Sequence, residues 1–275
     1  MVPVLTLGPL AVSTHDVFTI LALLVGLAIY YGELARRHWL DGTIVWISLV
    51  AILGGAIGAR TITAWEHLDY YATAAAADVP LTVLIENSGK SIIGAVAGGY
   101  LATTLAKRWF GYTRSTGDCY VLAIPIATAI GRVGCFLTEL PLGTPTTLPW
   151  GVSVDPAVAA GFAVCPGCSL PMHPSMLYEI AFNLVAAIVI WRYRDRVPIP
   201  GDALKLYLLA AATFRFLVET VRGNPPQALG LSGPQWVLIP LIVLLLAFFV
   251  RRLRSGIYRV PPPPLSVPSL EVPVR

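Results

Sequence analysis

The chain has 275 residues, of which 56% are hydrophobic and only 12% are charged, and its mean hydropathy is +0.73. This composition is typical of a protein with several membrane spans and argues against a soluble or a disordered chain. The formal net charge of +4 is read as the charge asymmetry of a membrane protein. Because no nucleotide-binding glycine fingerprint and no nucleic-acid signature is present, we expect no cofactor and no nucleic-acid partner.

Seven apolar stretches are long enough to cross a bilayer, for which a helix needs about 20 residues. They are 17–35, 43–65, 91–106, 119–139, 176–191, 203–221 and 235–250. Lipid does not hydrogen-bond backbone groups, and no alternating strand pattern appears, so we expect helices throughout. The sequence predicts an all-α membrane protein with seven transmembrane helices in residues 1–255. The Pro-rich segment 256–275 is predicted to be a disordered cytoplasmic tail.

Basic residues predict the orientation of these helices. Fourteen of the nineteen Lys and Arg residues fall in the loops 36–37, 107–114 and 192–205 and in the tail from 251 onward. Lys90 alone lies in a loop on the opposite side. The bias places the N-terminus outside and the C-terminus in the cytoplasm.

Two of the outer loops, 66–90 and 140–175, are long. The first contains an Ala-rich run and is predicted to form a short helix at the membrane interface. The second contains a turn from Gly143 followed by a β-like run, 151–154. We predict that it forms a small extracytoplasmic cap; the alternative is a plain connector.

Cys165 and Cys168 form a C-x-x-C pair in this outer loop, where oxidation is possible. They are a disulfide candidate, with unpaired thiols or metal or redox chemistry as alternatives. Together with His173 they offer three zinc-type ligands, but a structural zinc site needs four. We therefore expect no metal.

Charged residues inside or beside the apolar stretches are functional candidates, because a charge in a membrane is costly. They are Arg60, Arg132, Glu139, Glu179, Arg215, Glu219 and Arg222. In the predicted topology all of them fall at the level of the outer leaflet. This shared depth predicts one polar cavity that opens outward; the alternative is a set of unconnected ion pairs.

The spacing of Arg215, Glu219 and Arg222 puts all three on one helix face, and a pair at i, i+4 can form an ion pair. The alternatives are a structural salt-bridge stripe or a phosphate site in which Glu219 orients an arginine. Arginine fits the second because its planar donors meet two phosphate oxygens. Gly131 and Gly134 beside Arg132 would allow a close approach of a backbone or a head group.

Four ordered motifs resemble those of the bacterial prolipoprotein diacylglyceryl transferases. The first runs from Gly131 through Arg132 and Gly134 to Gly143 and on to 145–152, and the second is 173–179, which includes His173, Tyr178 and Glu179. The third runs from Arg215 to Arg222. The glycine-rich 88–99 is a weaker match. The predicted seven-helix topology is also that of the family.

The resemblance implies an enzyme of the bacterial inner membrane with no cofactor. It would move the diacylglyceryl group of phosphatidylglycerol to the lipobox cysteine of a prolipoprotein signal peptide, releasing glycerol phosphate. Arg132 and Arg215 would stabilise the charge that grows on the phosphate, and Glu219 would orient Arg215. The other residues expected to bind substrate are Arg222, Gly131, Gly134, His173, Tyr178 and Glu179. Gly143 would keep the mouth of the cavity narrow.

The chain departs from the family pattern where a proton acceptor is expected. Ile93 replaces a histidine, Cys135 replaces an asparagine, and Leu140 replaces an acidic residue. The aromatic residue expected at the first span has no clean equivalent near His15. Glu139 is therefore our candidate base. The alternatives are a paralogue with another acceptor and a phospholipid-binding protein without catalysis.

Overall fold

A computed structural model describes residues 4–7, 10–66, 71–73, 80, 91–156 and 170–258. Its helices are α1 (Thr14–Arg36), α2 (Gly42–Glu66), α3 (Ile92–Trp109), α4 (Gly117–Tyr120), α5 (Ala123–Thr138), α6 (Ser175–Tyr193), α7 (Asp202–Arg222) and α8 (Gly233–Arg254). Its strands are β1 (Val4–Leu7), β2 (Leu10–Ser13), β3 (Pro226–Ala228) and β4 (Leu231–Ser232).

The long helices coincide with the seven predicted stretches, and they extend beyond most of them by one to four residues at an end. Within the described part of the chain, five helical segments are long and apolar enough to cross a membrane. They are α1, α2 as far as Thr61, the α4–α5 segment Gly117–Thr138, α6 and α8. The chain is therefore a helical, multi-pass membrane protein. Helices α3 and α7 are not among the five.

Two small antiparallel ribbons, β1–β2 and β3–β4, add to the predicted helices. The first precedes α1 and the second connects α7 to α8. Both lie outside the long apolar helices, where the unpaired edges of a ribbon can reach water. The hydropathy pattern does not predict them because each strand has at most four residues.

One compact unit covers Leu34–Arg114 and contains α2 packed against α3. Glycines line this contact at four-residue spacing, with Gly54 and Gly58 facing Gly98. A Cβ atom on Gly98 would lie 2.9 Å from the Gly58 Cα atom. The two backbones are therefore in contact, as small residues allow in membrane helix pairs.

The other unit covers Met1–Glu33 and Ser115–Arg275. In it α5 packs on α6, α6 on α7, and α7 on α8. Helix α1 approaches α5 closely, because a Cβ atom on Gly134 would lie 2.8 Å from the Phe18 Cβ atom. The buried residues Cys135, Leu142, Met172 and Met176 form a hydrophobic core, against which Val152 and Val154 pack.

Buried carboxylates also lie at the opposite ends of these helices, so the prediction of charges at a single level is incomplete. Glu33 accepts a hydrogen bond from Arg194 at 3.0 Å, and Asp202 binds Arg252. Asp118 accepts a hydrogen bond from the Gly201 backbone N–H at 2.7 Å. Arg194 and Gly201 lie between α6 and α7, and Arg252 lies in the last turn of α8, so the hydropathy pattern does not reveal these pairs.

Several predictions fall outside the described residues. These are the Cys165–Cys168 disulfide, most of the segment 66–90 in which an interfacial helix is predicted, and the tail beyond residue 258. The side chain of Ile93 is likewise outside them. Arg60 lies in α2, in the unit that covers Leu34–Arg114.

Candidate active site

Glu179, in the second turn of α6, is the centre of a cluster of arginines. Its Oε2 atom forms an ion pair with Nε of Arg132 on α5. Its Oε1 atom accepts a hydrogen bond from Nη1 of Arg222 at 3.1 Å and lies 3.8 Å from Nε of Arg215. The side chain of Glu179 is 5% exposed. Three guanidinium groups from two helices therefore converge on one buried carboxylate.

Glu219 holds Arg215 from the other side. Its Oε2 atom accepts a hydrogen bond from Nη1 of Arg215, the pairing that the i, i+4 spacing predicts. Its Oε1 atom accepts hydrogen bonds from Asn224 and, at 2.8 Å, from the Ser232 hydroxyl. With three donors on a fully buried side chain, Glu219 is fixed and so fixes the guanidinium beside it.

Asn224 and Ser232 were missed by the sequence analysis. Gly223 takes the left-handed conformation (φ 82°) that turns the chain out of α7 to place Asn224. Ser232 is the N-cap of α8, and a capping box with Gln235 holds it. The Ser-x-x-Gln spacing was a readable signal for the cap, but its contact with Glu219 depends on the tertiary fold.

The cluster carries a net positive charge. Three arginines face two carboxylates, so the five side chains sum to +1. Each guanidinium has five N–H donors, which two carboxylates cannot all satisfy. Arg132 Nε lies within ion-pair distance of Glu179 but donates no hydrogen bond. The cluster therefore has both the charge and the spare donors to bind a monoanion.

Arg222 does not lie at a more open rim. Its side chain is 18% exposed, compared with 22% for Arg215. Both are held by carboxylates inside the same cluster. Arg222 is therefore no more open to water than Arg215.

Gly143 joins the loop after α5 to the ends of α6 and α7. A Cβ atom there would lie 2.6 Å from the Val221 carbonyl oxygen and 3.1 Å from the His173 Cβ atom. The next residue donates its backbone N–H to the same Val221 carbonyl at 2.8 Å. Gly143 thus fixes the position of the helix ends that carry Glu179 and Arg222.

The predicted β-like run at 151–154 pairs across the loop. Val152 and Met172 exchange backbone hydrogen bonds, each of 3.0 Å. The Tyr178 hydroxyl accepts a hydrogen bond from Trp150 Nε1 at 2.8 Å and lies 3.1 Å from His173 Nδ1. Tyr178 and His173, both expected among the substrate-binding residues, therefore bind each other and the loop.

Gly131 and Gly134 differ in their surroundings. The space beside Gly134 is filled by the Phe18 side chain of α1, so Gly134 allows α1 and α5 to pack closely. A Cβ atom on Gly131 would lie 4.0 Å from the Ala22 Cβ atom, an ordinary contact. The prediction that these glycines admit a head group stays a prediction.

Beside Arg132 the structure brings together His15, Cys135 and Glu139. His15 Nε2 lies 3.8 Å from Glu139 Oε1, and the donor atoms of the three side chains all lie within 4.8 Å of one another. Arg132 Nη1 donates a hydrogen bond to Cys135 Sγ at 3.6 Å. The sequence predicts a role for Glu139 as a base but does not link it to His15, because α1 and α5 meet only in the fold.

Similarity to known proteins identifies the family of this chain. The family model for prolipoprotein diacylglyceryl transferase matches residues 3–251. The chain belongs to this family. A protein of Cupriavidus metallidurans named phosphatidylglycerol–prolipoprotein diacylglyceryl transferase is 30% identical over 272 residues, covering 91% of this chain and 92% of the relative.

Two further relatives carry the same name. One from Coxiella burnetii is 30% identical over 257 residues, covering 86% of this chain and 90% of its own length. One from Frankia alni is 32% identical over 239 residues, covering 85% of this chain and 61% of its own length.

Proposed function

We propose that this chain transfers the diacylglyceryl group of phosphatidylglycerol to the lipobox cysteine of prolipoprotein signal peptides. The names of its relatives give the two substrates. The observation that carries the proposal is the arginine cluster around Glu179. Its net charge of +1 matches the single negative charge of a phosphodiester.

In this proposal Arg132, Arg215 and Arg222 bind the phosphate of the lipid. The thiol sulfur attacks the diacylglycerol carbon, the carbon–oxygen bond breaks, and its electron pair leaves on the phosphate as glycerol phosphate. The charge that grows on the leaving phosphate is stabilised by fixed donors, each worth about 3–4 kcal/mol in a water-poor site. Because Glu219 fixes Arg215, these donors need no rearrangement during the reaction.

The acceptor thiol must lose its proton, because a thiol at its usual pKa of about 8.5 is mostly protonated at neutral pH. Glu139 is the acceptor that the sequence predicts. It follows α5 directly and its side chain is 40% exposed, which leaves it open to an incoming peptide.

The membrane arrangement that fits this reaction has seven transmembrane helices in the bacterial inner membrane, with α3 and α7 also crossing. The N-terminus and the loop 140–175 would lie outside, where prolipoproteins emerge. The distribution of Lys and Arg supports this orientation. A Ser169→Cys variant should react with an impermeant thiol reagent from outside and a Ser255→Cys variant should not, both in a Cys165→Ser, Cys168→Ser background. The reverse pattern would contradict the orientation.

Mass spectrometry tests the function. The purified chain is incubated with phosphatidylglycerol and a lipobox peptide, and the peptide should gain the mass of a diacylglyceryl group. A peptide with serine in place of the lipobox cysteine is the control and should gain nothing. Lipid binding without any mass gain on the cysteine peptide would favour a non-catalytic binding protein or another acceptor.

A further inference from the structure

The C-terminal half of α8 lines a groove that lies far from the arginine cluster. Its volume is about 530 Å³, within the range of about 300–1,000 Å³ that is typical of small-molecule sites. Asp202 lies in the first turn of α7 and Glu219 in the last, so about 25 Å of helix separates them. Because Asp202 pairs with Arg252 of the groove, the groove and the arginine cluster belong to opposite ends of α7.

The lining of the groove changes from apolar to basic along α8. The lining residues, which recur at helical spacing and so share one helix face, are Leu244, Ala247, Phe248, Arg251, Arg252 and Ser255. The apolar ones belong to a helix that is long and apolar enough to cross a membrane, and both arginines lie in its last turn. A molecule that fits this groove therefore has an apolar part and an acidic end. Since the apolar wall belongs to a membrane span, the molecule enters from the bilayer.

Arg252 is held in place at the basic end by a buried carboxylate. Asp202, whose side chain is 1% exposed, forms an ion pair with Nη1 of Arg252. The Tyr258 hydroxyl donates a hydrogen bond to the same carboxylate oxygen at 2.7 Å. The Arg252 guanidinium also lies over the Phe248 ring, 4.5 Å from its centroid. This arginine is therefore fixed by the protein itself, which lowers the cost of ordering it when a ligand binds.

The basic end of the groove has an excess of positive charge. Lys205 Nζ lies 4.9 Å from the centroid of the same Phe248 ring and 3.4 Å from Asp202 Oδ1. Among the residues that the structure describes, Arg251 has no carboxylate partner. Lys205, Arg251 and Arg252 face one carboxylate, so this end of the groove sums to +2. The pairing with Asp202 thus leaves charge that attracts an anion.

We infer that this groove binds an anionic phospholipid, at a site separate from the arginine cluster. The phosphate contacts Arg251 and Arg252, and one acyl chain lies along Leu244 and Ala247. The planar donors of arginine fit two phosphate oxygens at once. Basic residues at the end of a membrane helix attract anionic lipids, and each contributes about a fivefold preference over a zwitterionic lipid. The inference does not depend on the proposed function.

Photocrosslinking of the full chain tests where the lipid binds. The chain is placed in phosphatidylcholine nanodiscs that contain a phosphatidylglycerol probe with a photoreactive group in one acyl chain. Peptide mapping should find adducts in the segment 244–248. A phosphatidylcholine probe with the same acyl chains should give at least about fivefold less labelling there, because its head group has no net charge. Equal labelling by the two probes would overturn the inference.

A pair of arginine variants separates a built site from general surface attraction. Arg251→Gln should reduce labelling of 244–248 by the phosphatidylglycerol probe about fivefold. Arg254→Gln is the matched control, because it removes the same charge from the same last turn but is not among the lining residues. This control should keep most of the labelling. An equal loss in both variants would show that any basic residue at this helix end suffices, and would overturn the groove as a specific site.

The groove and the proposed function can fail separately. Arg251→Gln should transfer diacylglyceryl groups to a lipobox peptide at the rate of the parent, and Arg132→Lys should lose transfer but keep the adducts in 244–248. Loss of these adducts in Arg132→Lys would mean that the probe reaches α8 only from the arginine cluster, and would overturn the separate site. A parent chain that forms the adducts but modifies no lipobox peptide would retain the groove and contradict the proposed function.

Discussion

Replacing Glu179 by glutamine should damage the arginine cluster in a way that the structure makes measurable. Glutamine keeps the shape but removes the negative charge that Arg132, Arg215 and Arg222 share, so the net charge of the cluster rises from +1 to +2. Breaking a buried ion pair by removing one partner costs about 3–5 kcal/mol. At 1.4 kcal/mol per tenfold, the folding equilibrium should fall roughly 150-fold to several thousand-fold.

Glu33→Gln is the matched control. Its carboxylate is 4% exposed and pairs with Arg194 at the other end of the helices. Both variants should unfold at lower denaturant concentration in detergent. Only Glu179→Gln should also lose transfer, by about 100-fold or more, because the phosphate donors are displaced.

The two measurements together can refute the reasoning. Parent-like transfer by folded Glu179→Gln protein would make the cluster a structural salt-bridge network. An equal loss of transfer in Glu33→Gln would show that the loss follows from destabilisation and not from the site.

Three further predictions follow from individual contacts. Arg215→Lys and Arg222→Lys should lose transfer to similar extents in the peptide assay, since both arginines are similarly buried and lysine lacks the planar fork; full activity of both would contradict phosphate binding. Gly143→Ala should reduce transfer strongly even at saturating lipid, because its Cβ atom would lie 2.6 Å from a carbonyl oxygen of α7. Unchanged kinetics would show that the loop can move to accommodate the added methyl group. Gly98→Leu should lower the free energy of unfolding in detergent by about 1–3 kcal/mol, because its side chain would collide with the α2 backbone. Gly32→Ala is the control and should not lower it, because a Cβ atom on Gly32 would have no neighbour within 4 Å.

The long helices were predictable because transmembrane helices can be recognised from their length and their hydropathy. Each predicted stretch coincides with a long helix, and the Arg215–Glu219 pair follows from helical spacing alone. The family resemblance is confirmed by the match over residues 3–251. These features depend on local sequence or on whole-chain similarity.

The composition of the site was harder to predict because it depends on contacts between distant segments. Glu179 was a candidate, but its role as the shared partner of Arg132 and Arg222 appears only when α5, α6 and α7 pack together. Ser232 contacts Glu219 from the β3–β4 ribbon, whose strands are too short to be visible in the hydropathy pattern. His15 meets Cys135 because α1 packs on α5, and no spacing rule links positions 120 residues apart.

The claim that the thiol sulfur displaces the phosphate at the diacylglycerol carbon is tested most directly by isotope labelling. Phosphatidylglycerol that carries ¹⁸O between this carbon and phosphorus is incubated with the purified chain and a lipobox peptide, and both products are weighed by mass spectrometry. The account predicts that the peptide gains an unlabelled diacylglyceryl group while all of the ¹⁸O appears in glycerol phosphate. A peptide that carries the ¹⁸O, or one that gains no mass, would contradict it.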